Sequence, residues 1–186
     1  MIVGLTGRNA SGKGTVAAWL EAQAFGYTSL SDAIRLHLRD QGLATTRDNL
    51  IAAGNALRQE GGPGVLAERT LARIDPQADV VVDSIRNPAE VKALRTRADF
   101  VLVEVAADEA VRYARLSLRQ RSGDAQSFSE FQRQEAAELA SGDPSAQQLV
   151  ATAALADVIV HNNGDLAALH AQLAELLPRW RARQPA

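Results

Sequence analysis

The stretch Gly7-Arg8-Asn9-Ala10-Ser11-Gly12-Lys13-Gly14-Thr15 decides the fold of this chain. It follows the apolar run Met1–Thr6, which is typical of a buried strand, and it leads into Val16–Leu20, which is typical of the first turns of a helix. The pattern G-x-x-x-x-G-K between a strand and a helix is that of a phosphate-binding P-loop, the Walker A motif. The alternative is a glycine-rich hairpin with an incidental lysine, and the flanking strand and helix argue against it. The sequence therefore predicts a nucleotide-binding protein.

Each residue type in this loop has a physical role. The backbone N–H groups of the loop can wrap a phosphate at the N-terminus of the following helix. Gly7 and Gly12 allow positive φ angles and a close approach of the backbone, and Lys13 brings a positive charge to the β- and γ-phosphates. The predicted nucleotide contacts are Gly7, Asn9, Ala10, Ser11, Gly12, Lys13, Gly14 and Thr15.

The residue after Lys13 departs from the commonest P-loop pattern. Most P-loops carry there a Ser or Thr whose hydroxyl ligates Mg²⁺, whereas this chain has Gly14 and places the hydroxyl at Thr15. The ending Gly-Lys-Gly-Thr resembles the adenylate kinase group of nucleoside monophosphate kinases. In that group Mg²⁺ is held mainly through water and the phosphates of the two nucleotides. The resemblance implies ATP and Mg²⁺ as cofactors and disfavours a signalling GTPase.

Length and composition narrow the class of protein. A chain of 186 residues without a linker, repeat or low-complexity stretch suits one domain over residues 1–186. The absence of cysteine excludes disulfide scaffolds, thiol catalysis and cysteine-ligated metals, and the three histidines are scattered. A net charge of −2 argues against a nucleic-acid partner. With no signal peptide and no apolar run of membrane-spanning length, we expect a soluble cytoplasmic enzyme; the oligomeric state is not predicted.

Strand-like and helical patterns alternate along the rest of the chain. Strands are predicted at Tyr27–Leu30, Asp79–Asp83, Phe100–Val105 and Asp157–Val160, and helices at 33–41, 48–59, 65–74 and 164–183 and after Asn87, Asp108, Ser127 and Asp143. Apolar strands joined by helices imply a parallel sheet that is covered on both faces. The predicted fold is therefore a three-layer α/β/α P-loop NTPase fold with a five-stranded parallel sheet. Its ligands should bind where the carboxyl ends of the strands meet.

The residues after the second predicted strand indicate an acceptor site. Ser31-Asp32-Ala33-Ile34-Arg35 resembles the G/S-D-x-hydrophobic-R segment of monophosphate kinases, in which the arginine grips the acceptor phosphate and the aspartate helps to orient it. The alternative is a helix start with Asp32 as N-cap and a solvated Arg35. Arg58, at a predicted helix end, is a second candidate for the acceptor phosphate, and a contact with the helix dipole is its alternative. The resemblance places acceptor-binding helices at about 31–75.

The segment after the third strand is the second strong signal. Asp83-Ser84-Ile85-Arg86-Asn87-Pro88-Ala89-Glu90 puts a carboxylate at the end of a buried strand, which is costly unless it meets a metal ion, water or arginine. The pattern D-x-x-R-x-P-x-E resembles phage-type deoxynucleoside monophosphate kinases. It also resembles a family of P-loop nucleotide kinase-like proteins known best from archaea, over nearly the whole chain. The resemblance implies that Asp83 holds Mg²⁺-bound water and that Arg86 binds substrate phosphate; the alternative is a purely structural Asp83–Arg86 pair.

Several arginines predict a short lid over the nucleotide. Arg112, Arg115 and Arg119 are spaced i, i+3, i+7 and share one helix face, and Arg121 follows. The alternative is a solvated basic face. The resemblance to monophosphate kinases places a lid at about 115–135. It implies that Arg119 and Arg121 are catalytic cations and that Arg115 contacts the nucleotide. Asn163, after the last strand, would lie against the adenine, or else belong to a plain turn.

Taken together, these signals predict an ATP- and Mg²⁺-dependent transferase that moves a γ-phosphoryl group to a nucleoside or deoxynucleoside monophosphate. Its catalytic residues would be Lys13, Asp83, Arg86, Arg119 and Arg121. A phosphate acceptor is already nucleophilic, so that positioning and charge neutralisation suffice. One alternative is dephospho-CoA kinase, whose hydroxyl acceptor would make Asp32 a general base. The other is a non-catalytic ATP sensor.

Overall fold

A computed structural model of the protein describes residues 1–119, 125, 127–139 and 148–182. Arg121 and the predicted helix start at Asp143 lie outside these residues. The strands are β1 (Ile2–Thr6), β2 (Gly26–Ser29), β3 (Val80–Asp83), β4 (Phe100–Ala106) and β5 (Val158–His161). They form one sheet in the order β2-β3-β1-β4-β5, and all four neighbouring pairs are parallel. The predicted five-stranded parallel sheet is confirmed.

Helices cover both faces of this sheet. In the described residues they are α1 (Lys13–Glu21), α2 (Leu30–Asp40), α3 (Arg47–Gly61), α4 (Val65–Leu71), α5 (Pro88–Leu94), α6 (Glu109–Arg119), α7 (Phe128–Leu139), α8 (Leu149–Ala153) and α9 (Leu166–Arg181). Among them, no helix is both long and apolar enough to cross a membrane.

Side chains that alternate along the strands divide the core between the two faces. Ile2 and Val82 pack with residues of α2, α3, α4 and α5, such as Leu57. Val3, the next residue of β1, faces the opposite way and packs with residues of α1 and α9, such as Leu173. Strands buried on both faces are typical of parallel sheets, which explains their continuous apolar sequences. The sheet is thus the middle layer of the predicted three.

The helix starts show where local sequence determines structure. Asn87 caps α5 and accepts a hydrogen bond from the Ala89 N–H, while Glu90 completes the capping box, as its sequence suggests. Helix α2 differs from the expectation, because its N-cap is Ser29 and Asp32 lies at the third helical position. Asp32 is therefore not the N-cap that the alternative interpretation of this segment requires.

Candidate functional site

The P-loop backbone has the conformation that its glycines predict. The φ angles of Gly7 and Gly12 are +131° and +101°, and Ala10 is also left-handed at +59°. A Cβ atom on Gly7 would lie 2.4 Å from the carbonyl oxygen of Val105, and one on Gly12 would lie 2.0 Å from Nδ2 of Asn162. Both positions therefore require glycine, for backbone conformation and for space.

The polar groups of the loop suit a chain of phosphates. Lys13 Nζ donates to the carbonyl oxygens of Gly7 at 2.7 Å and Arg8 at 3.1 Å, so its charge lies across the loop. The hydroxyl of Ser11 is buried and has no hydrogen-bond partner in the described part of the chain. A buried hydroxyl without a partner is costly, so this position of the loop carries an unsatisfied polar group. Thr15 is exposed in the first turn of α1, where its hydroxyl can reach solvent or a metal-bound water.

Two side chains from distant parts of the sequence hold the loop from behind. Asn162, which is 5% exposed, donates from Nδ2 to the carbonyl oxygen of Ser11 at 2.9 Å. Arg115 Nη2 donates to Asn162 Oδ1 at 3.2 Å, and its Nη1 lies 3.4 Å from the same Ser11 oxygen. Asn163 instead accepts a hydrogen bond from the Asp108 N–H at 2.8 Å. Its predicted contact with adenine remains a prediction, whereas Asn162 contacts the loop directly.

Helices α6 and α7 pack over the other side of the P-loop. Arg112 is only 2% exposed, and its guanidinium forms a two-pronged ion pair with Glu135, of which the Nη2–Oε2 bond measures 2.8 Å. Glu135 also pairs with Arg8 of the loop at 3.3 Å, and Arg112 lies over the ring of Phe131. Because Arg112 is buried and paired, the alternative of a wholly solvated basic face is wrong.

Arg119 also points toward the loop. Its Nη2 donates to Asn9 Oδ1 at 3.2 Å, which brings this predicted lid arginine to the P-loop. Its catalytic role, like that of Arg121, remains a prediction.

The carboxylate at the end of β3 is held by two donors. Tyr27 of β2 donates its hydroxyl proton to Asp83 Oδ2 at 3.2 Å, and the Ser84 N–H donates to Oδ1 at 2.6 Å. Partial burial, and then the charge of Asp83, raise the pKa of Tyr27 to about 12, so the tyrosine stays a proton donor at neutral pH. Each carboxylate oxygen keeps a further lone pair, and such oxygens are ligands that Mg²⁺ and its bound waters prefer.

On the acceptor side, Asp32 and Arg35 are joined. Asp32 Oδ1 accepts a hydrogen bond from Arg35 Nη1 at 2.9 Å, and Oδ2 accepts one from the Ser29 N–H at 3.0 Å. Arg35 Nη1 also donates to Ser31 Oγ at 2.8 Å. One oxygen of Asp32 thus helps to fix the start of α2, and the other holds the guanidinium of Arg35.

Arg58 lies in a buried ion pair. It is 6% exposed, and its Nη2 donates to Oε1 of the fully buried Glu90 at 3.0 Å. The other oxygen of Glu90 accepts the backbone N–H groups of Arg86 at 2.8 Å and Asn87 at 3.1 Å. Burial raises the pKa of Glu90, and the attraction of Arg58 opposes that rise. This contact argues against the prediction that Arg58 binds the acceptor phosphate. The guanidinium is deeply buried and holds Glu90, which in turn supports the Arg86 segment.

These segments meet at one edge of the sheet. The Thr6 hydroxyl donates to the carbonyl oxygen of Ile85 at 2.9 Å, and the Ile85 N–H donates to Leu5 at 3.3 Å. The start of the P-loop and the segment after Asp83 are therefore in direct contact. As predicted, the carboxyl ends of β1, β2, β3 and β5 lie at the same edge of the sheet, and the polar residues that follow them lie there too.

Sequence comparisons identify the family. No protein-family model matches the chain. A UPF0200 protein of Hyperthermus butylicus is 30% identical over 181 residues, which cover 96% of this chain and 94% of that protein. A UPF0200 protein of Pyrococcus furiosus is 32% identical over 184 residues, 95% of this chain and 96% of that protein. The chain belongs to the UPF0200 family.

Solved structures show which fold this UPF0200 protein shares. Shikimate kinase from Bacteroides thetaiotaomicron matches with a TM-score of 0.60 at 15% identity over 96% of this chain and 98% of that one. Shikimate kinase from Acinetobacter baumannii, in complex with shikimate, matches with a TM-score of 0.58 at 16% identity over 96% and 93%. At these identities the likeness shows the fold alone, which is that of P-loop kinases.

The UPF0200 chain also carries functional candidates that its sequence does not reveal. Asn162 could have been inferred only as the first residue after β5. No sequence motif marks Tyr27 or Ser84. In the structure Ser84 has a left-handed φ of +66°, which is uncommon for a residue other than glycine. Such a conformation directly after Asp83 is typical of functional sites.

A cavity of about 580 Å³ lies along β2, between α2 and α4. Its walls include Tyr27, Ser29 and Asp32 of the acceptor side, and also His37 and Arg73. The volume is in the range of small-molecule sites.

Proposed function

We propose that this UPF0200 protein transfers the γ-phosphoryl group of ATP, with Mg²⁺, to a nucleoside or deoxynucleoside monophosphate. The donor would bind at the P-loop, the acceptor at α2 to α4, and α6 with α7 would form the lid. The P-loop geometry supports the donor half of this proposal. The hydrogen bonds of Asp32 support the other half, which is the assignment of a phosphate-bearing acceptor.

Asp32 is the residue that distinguishes a phosphate acceptor from a hydroxyl acceptor. A kinase with a hydroxyl acceptor needs a general base that can take the hydroxyl proton. Both oxygens of Asp32 already accept hydrogen bonds, one from the α2 capping box and one from Arg35. Each oxygen keeps a further lone pair, but the ion pair with Arg35 at 2.9 Å already commits this carboxylate to holding the guanidinium in place. An arginine fixed in this way can grip a phosphate by charge-assisted hydrogen bonds, which favours a phosphate acceptor over dephospho-CoA.

The same residues account for the chemistry of transfer. Lys13 and the loop N–H groups would hold the β- and γ-phosphates, and Arg35 and Arg86 would align the acceptor phosphate. Arg115, Arg119 and Arg121 would neutralise charge that develops on the transferring group. When bound, Mg²⁺ would supply Lewis-acid stabilisation of the same charge, with Asp83 and Thr15 contacting its waters. No side chain has to remove a proton, because the attacking phosphate oxygen is already anionic.

The direct test is ADP release with ATP and Mg²⁺ against a panel of acceptors. The panel contains the ribo- and deoxyribonucleoside monophosphates, with dephospho-CoA and shikimate as hydroxyl acceptors. We expect turnover with at least one monophosphate and none with the hydroxyl acceptors. Turnover with a hydroxyl acceptor alone would assign Asp32 to proton removal and refute the proposal. Tight ATP binding without any acceptor would favour an ATP sensor.

Variants on α2 separate the acceptor role from general damage. Arg35→Ala removes a charged phosphate contact of roughly 1.5–3 kcal/mol and should raise the KM for the acceptor about 10–150-fold, with the KM for ATP unchanged. Arg39→Ala, one turn further along the exposed side of the same helix, is the matched control and should change neither constant. Equal effects of the two variants would remove Arg35 from the acceptor site.

Variants on the donor side test the other half. Lys13→Ala should abolish turnover. Asp83→Asn should reduce turnover strongly and leave ATP binding largely intact. Near-normal turnover in Asp83→Asn would remove that residue from the mechanism.

A further inference from the structure

The carboxylate of Asp83 is oriented by groups from two different strands. Tyr27 reaches it from β2, across a sequence separation of 56 residues, and bonds to Oδ2 at 3.2 Å. The Ser84 N–H, next in sequence, bonds to Oδ1 at 2.6 Å. With one donor on each oxygen, the carboxyl plane cannot turn about its Cβ–Cγ bond without losing a hydrogen bond.

The backbone at Ser84 is held in the conformation that makes this possible. Its φ of +66° is unfavourable for a serine, and the side chain provides a compensating contact. Ser29 Oγ, at the end of β2, donates to Ser84 Oγ at 3.0 Å. A strained conformation next to a strand-end carboxylate persists only when its surroundings impose it. Here the end of β2 does so.

The same contacts continue to the acceptor side. Ser29 Oγ lies 2.8 Å from Ser31 Oγ, which accepts a hydrogen bond from Arg35 Nη1 at 2.8 Å. A continuous chain of hydrogen bonds therefore joins Arg35 to the residue that follows Asp83. The relative placement of the acceptor arginine and the strand-end carboxylate is thus set by hydroxyl groups at the junction of β2 and β3.

From this geometry we propose that Tyr27 is a positioning residue, which with the Ser84 N–H fixes the orientation of the Asp83 carboxylate toward the waters of the nucleotide-bound metal. The inference rests on the proposed function insofar as Asp83 acts through that metal. Outer partners of metal-binding groups typically change metal affinity or activity by 10–100-fold when removed, because they orient the ligand. Asp83 would act through water, so we expect the lower end of that range.

The test uses the two tyrosines of the chain as a matched pair. Tyr27→Phe removes only the hydroxyl of a side chain that is 46% exposed, so the fold should tolerate it. Tyr113→Phe is the control, since Tyr113 packs its ring against Phe128 and Phe131 and phenylalanine keeps that ring. Mn²⁺ binding to each protein, saturated with a non-hydrolysable ATP analogue, is measured by water-proton relaxation. Asp83→Asn and the double variant with Tyr27→Phe complete a thermodynamic cycle.

For Tyr27→Phe we expect Mn²⁺ affinity to fall about tenfold and kcat to fall by a similar factor. The affinity for the ATP analogue should stay within about twofold. Tyr113→Phe should match the wild type. In the Asp83→Asn background the Tyr27→Phe effect should disappear, since its target carboxylate is gone.

The outcomes separate this inference from the acceptor assignment. An unchanged Mn²⁺ affinity in Tyr27→Phe, with Asp83→Asn impaired, would overturn the positioning role. Unchanged Mn²⁺ affinity in Asp83→Asn would overturn it as well, by removing the metal role of Asp83. Coupled losses of Mn²⁺ affinity in both variants would support the inference, even if no monophosphate in the panel is phosphorylated, and the acceptor assignment alone would then fail.

Discussion

Replacing Glu135 with alanine is expected to destabilise the fold far more than a surface change on a helix. Glu135 is the carboxylate partner of Arg112, whose side chain is 3% exposed. The remaining hydrogen bonds of that guanidinium go to the carbonyl oxygens of Ala107 at 3.0 Å and Asn9 at 3.5 Å, which carry no formal charge. Glu135→Ala would therefore leave a buried cation without its counter-charge.

The size of the effect follows from burial. Breaking a buried ion pair from one side costs about 3–5 kcal/mol. The additional contact of Glu135 with Arg8, whose side chain is 44% exposed, contributes only about 0–1 kcal/mol. For a chain of this length each kcal/mol lowers Tm by roughly 2–4 °C, so the expected fall in Tm is roughly 6–20 °C. Replacing both partners by apolar residues, as Arg112→Met with Glu135→Leu, should recover most of it, because no buried charge remains.

The assay is equilibrium urea unfolding of four proteins. They are the wild type, Glu135→Ala, Arg8→Ala and the double variant Arg112→Met with Glu135→Leu. Arg8→Ala removes the exposed half of the network and serves as the control, with an expected loss of no more than about 1 kcal/mol. If Glu135→Ala costs no more than Arg8→Ala, the Arg112–Glu135 pair is not buried in solution and the reasoning fails. If the double variant is as unstable as Glu135→Ala, the loss comes from packing rather than from an unpaired charge.

Three further predictions concern the backbone and the surface. Gly12→Ala should abolish binding of a fluorescent ATP analogue, because its Cβ would lie 2.0 Å from Asn162 Nδ2 at a φ of +101°; near-normal affinity would contradict the loop geometry. Ser84→Val should unfold at lower urea concentration than Ser84→Gly, since a β-branched residue is strained at a φ of +66°, and equal midpoints would argue against that conformation. The hydrogen bonds of Arg97 hold the pKa of Asp99 below its usual range. A lowered folded-state pKa stabilises the fold at pH values above the unfolded pKa of about 4. The loss of unfolding free energy in Arg97→Ala should therefore be full near neutral pH and shrink as the pH falls below about 4. A loss that does not change with pH would refute this cause.

Local sequence predicted the parts of this protein whose structure depends on local chemistry. The P-loop glycines have the positive φ angles that their spacing indicates, and the capping box at Asn87 begins α5 as expected. The parallel sheet followed from apolar runs separated by helical periodicity, because strands buried on both faces lack an alternating pattern. In each case the signal lies within a few residues of the structure that it specifies.

The contacts that assemble the candidate site join residues far apart in sequence. Tyr27 and Asp83 meet only because β2 and β3 are neighbours, and nothing near either residue indicates the other. At the end of β5, successive side chains point to opposite sides, so a single position decides whether Asn162 or Asn163 contacts the P-loop. The sequence predicted a contact of Asn163 with adenine and carried no separate signal for Asn162.

Charge balance distinguishes arginines that the sequence pattern treats alike. Arg58 and Arg112 are both buried, and each faces a buried or nearly buried carboxylate, so that their charges are neutralised within the protein. Arg115 differs, because its hydrogen bonds go to the neutral oxygens of Ser11 and Asn162 behind the P-loop. A guanidinium held by neutral acceptors keeps its net positive charge, and in a partly buried position that charge acts over a longer range than in water. The position of Arg115 at the P-loop therefore favours the prediction that it contacts the nucleotide. Arg58 instead pairs with Glu90, which accepts the Arg86 N–H.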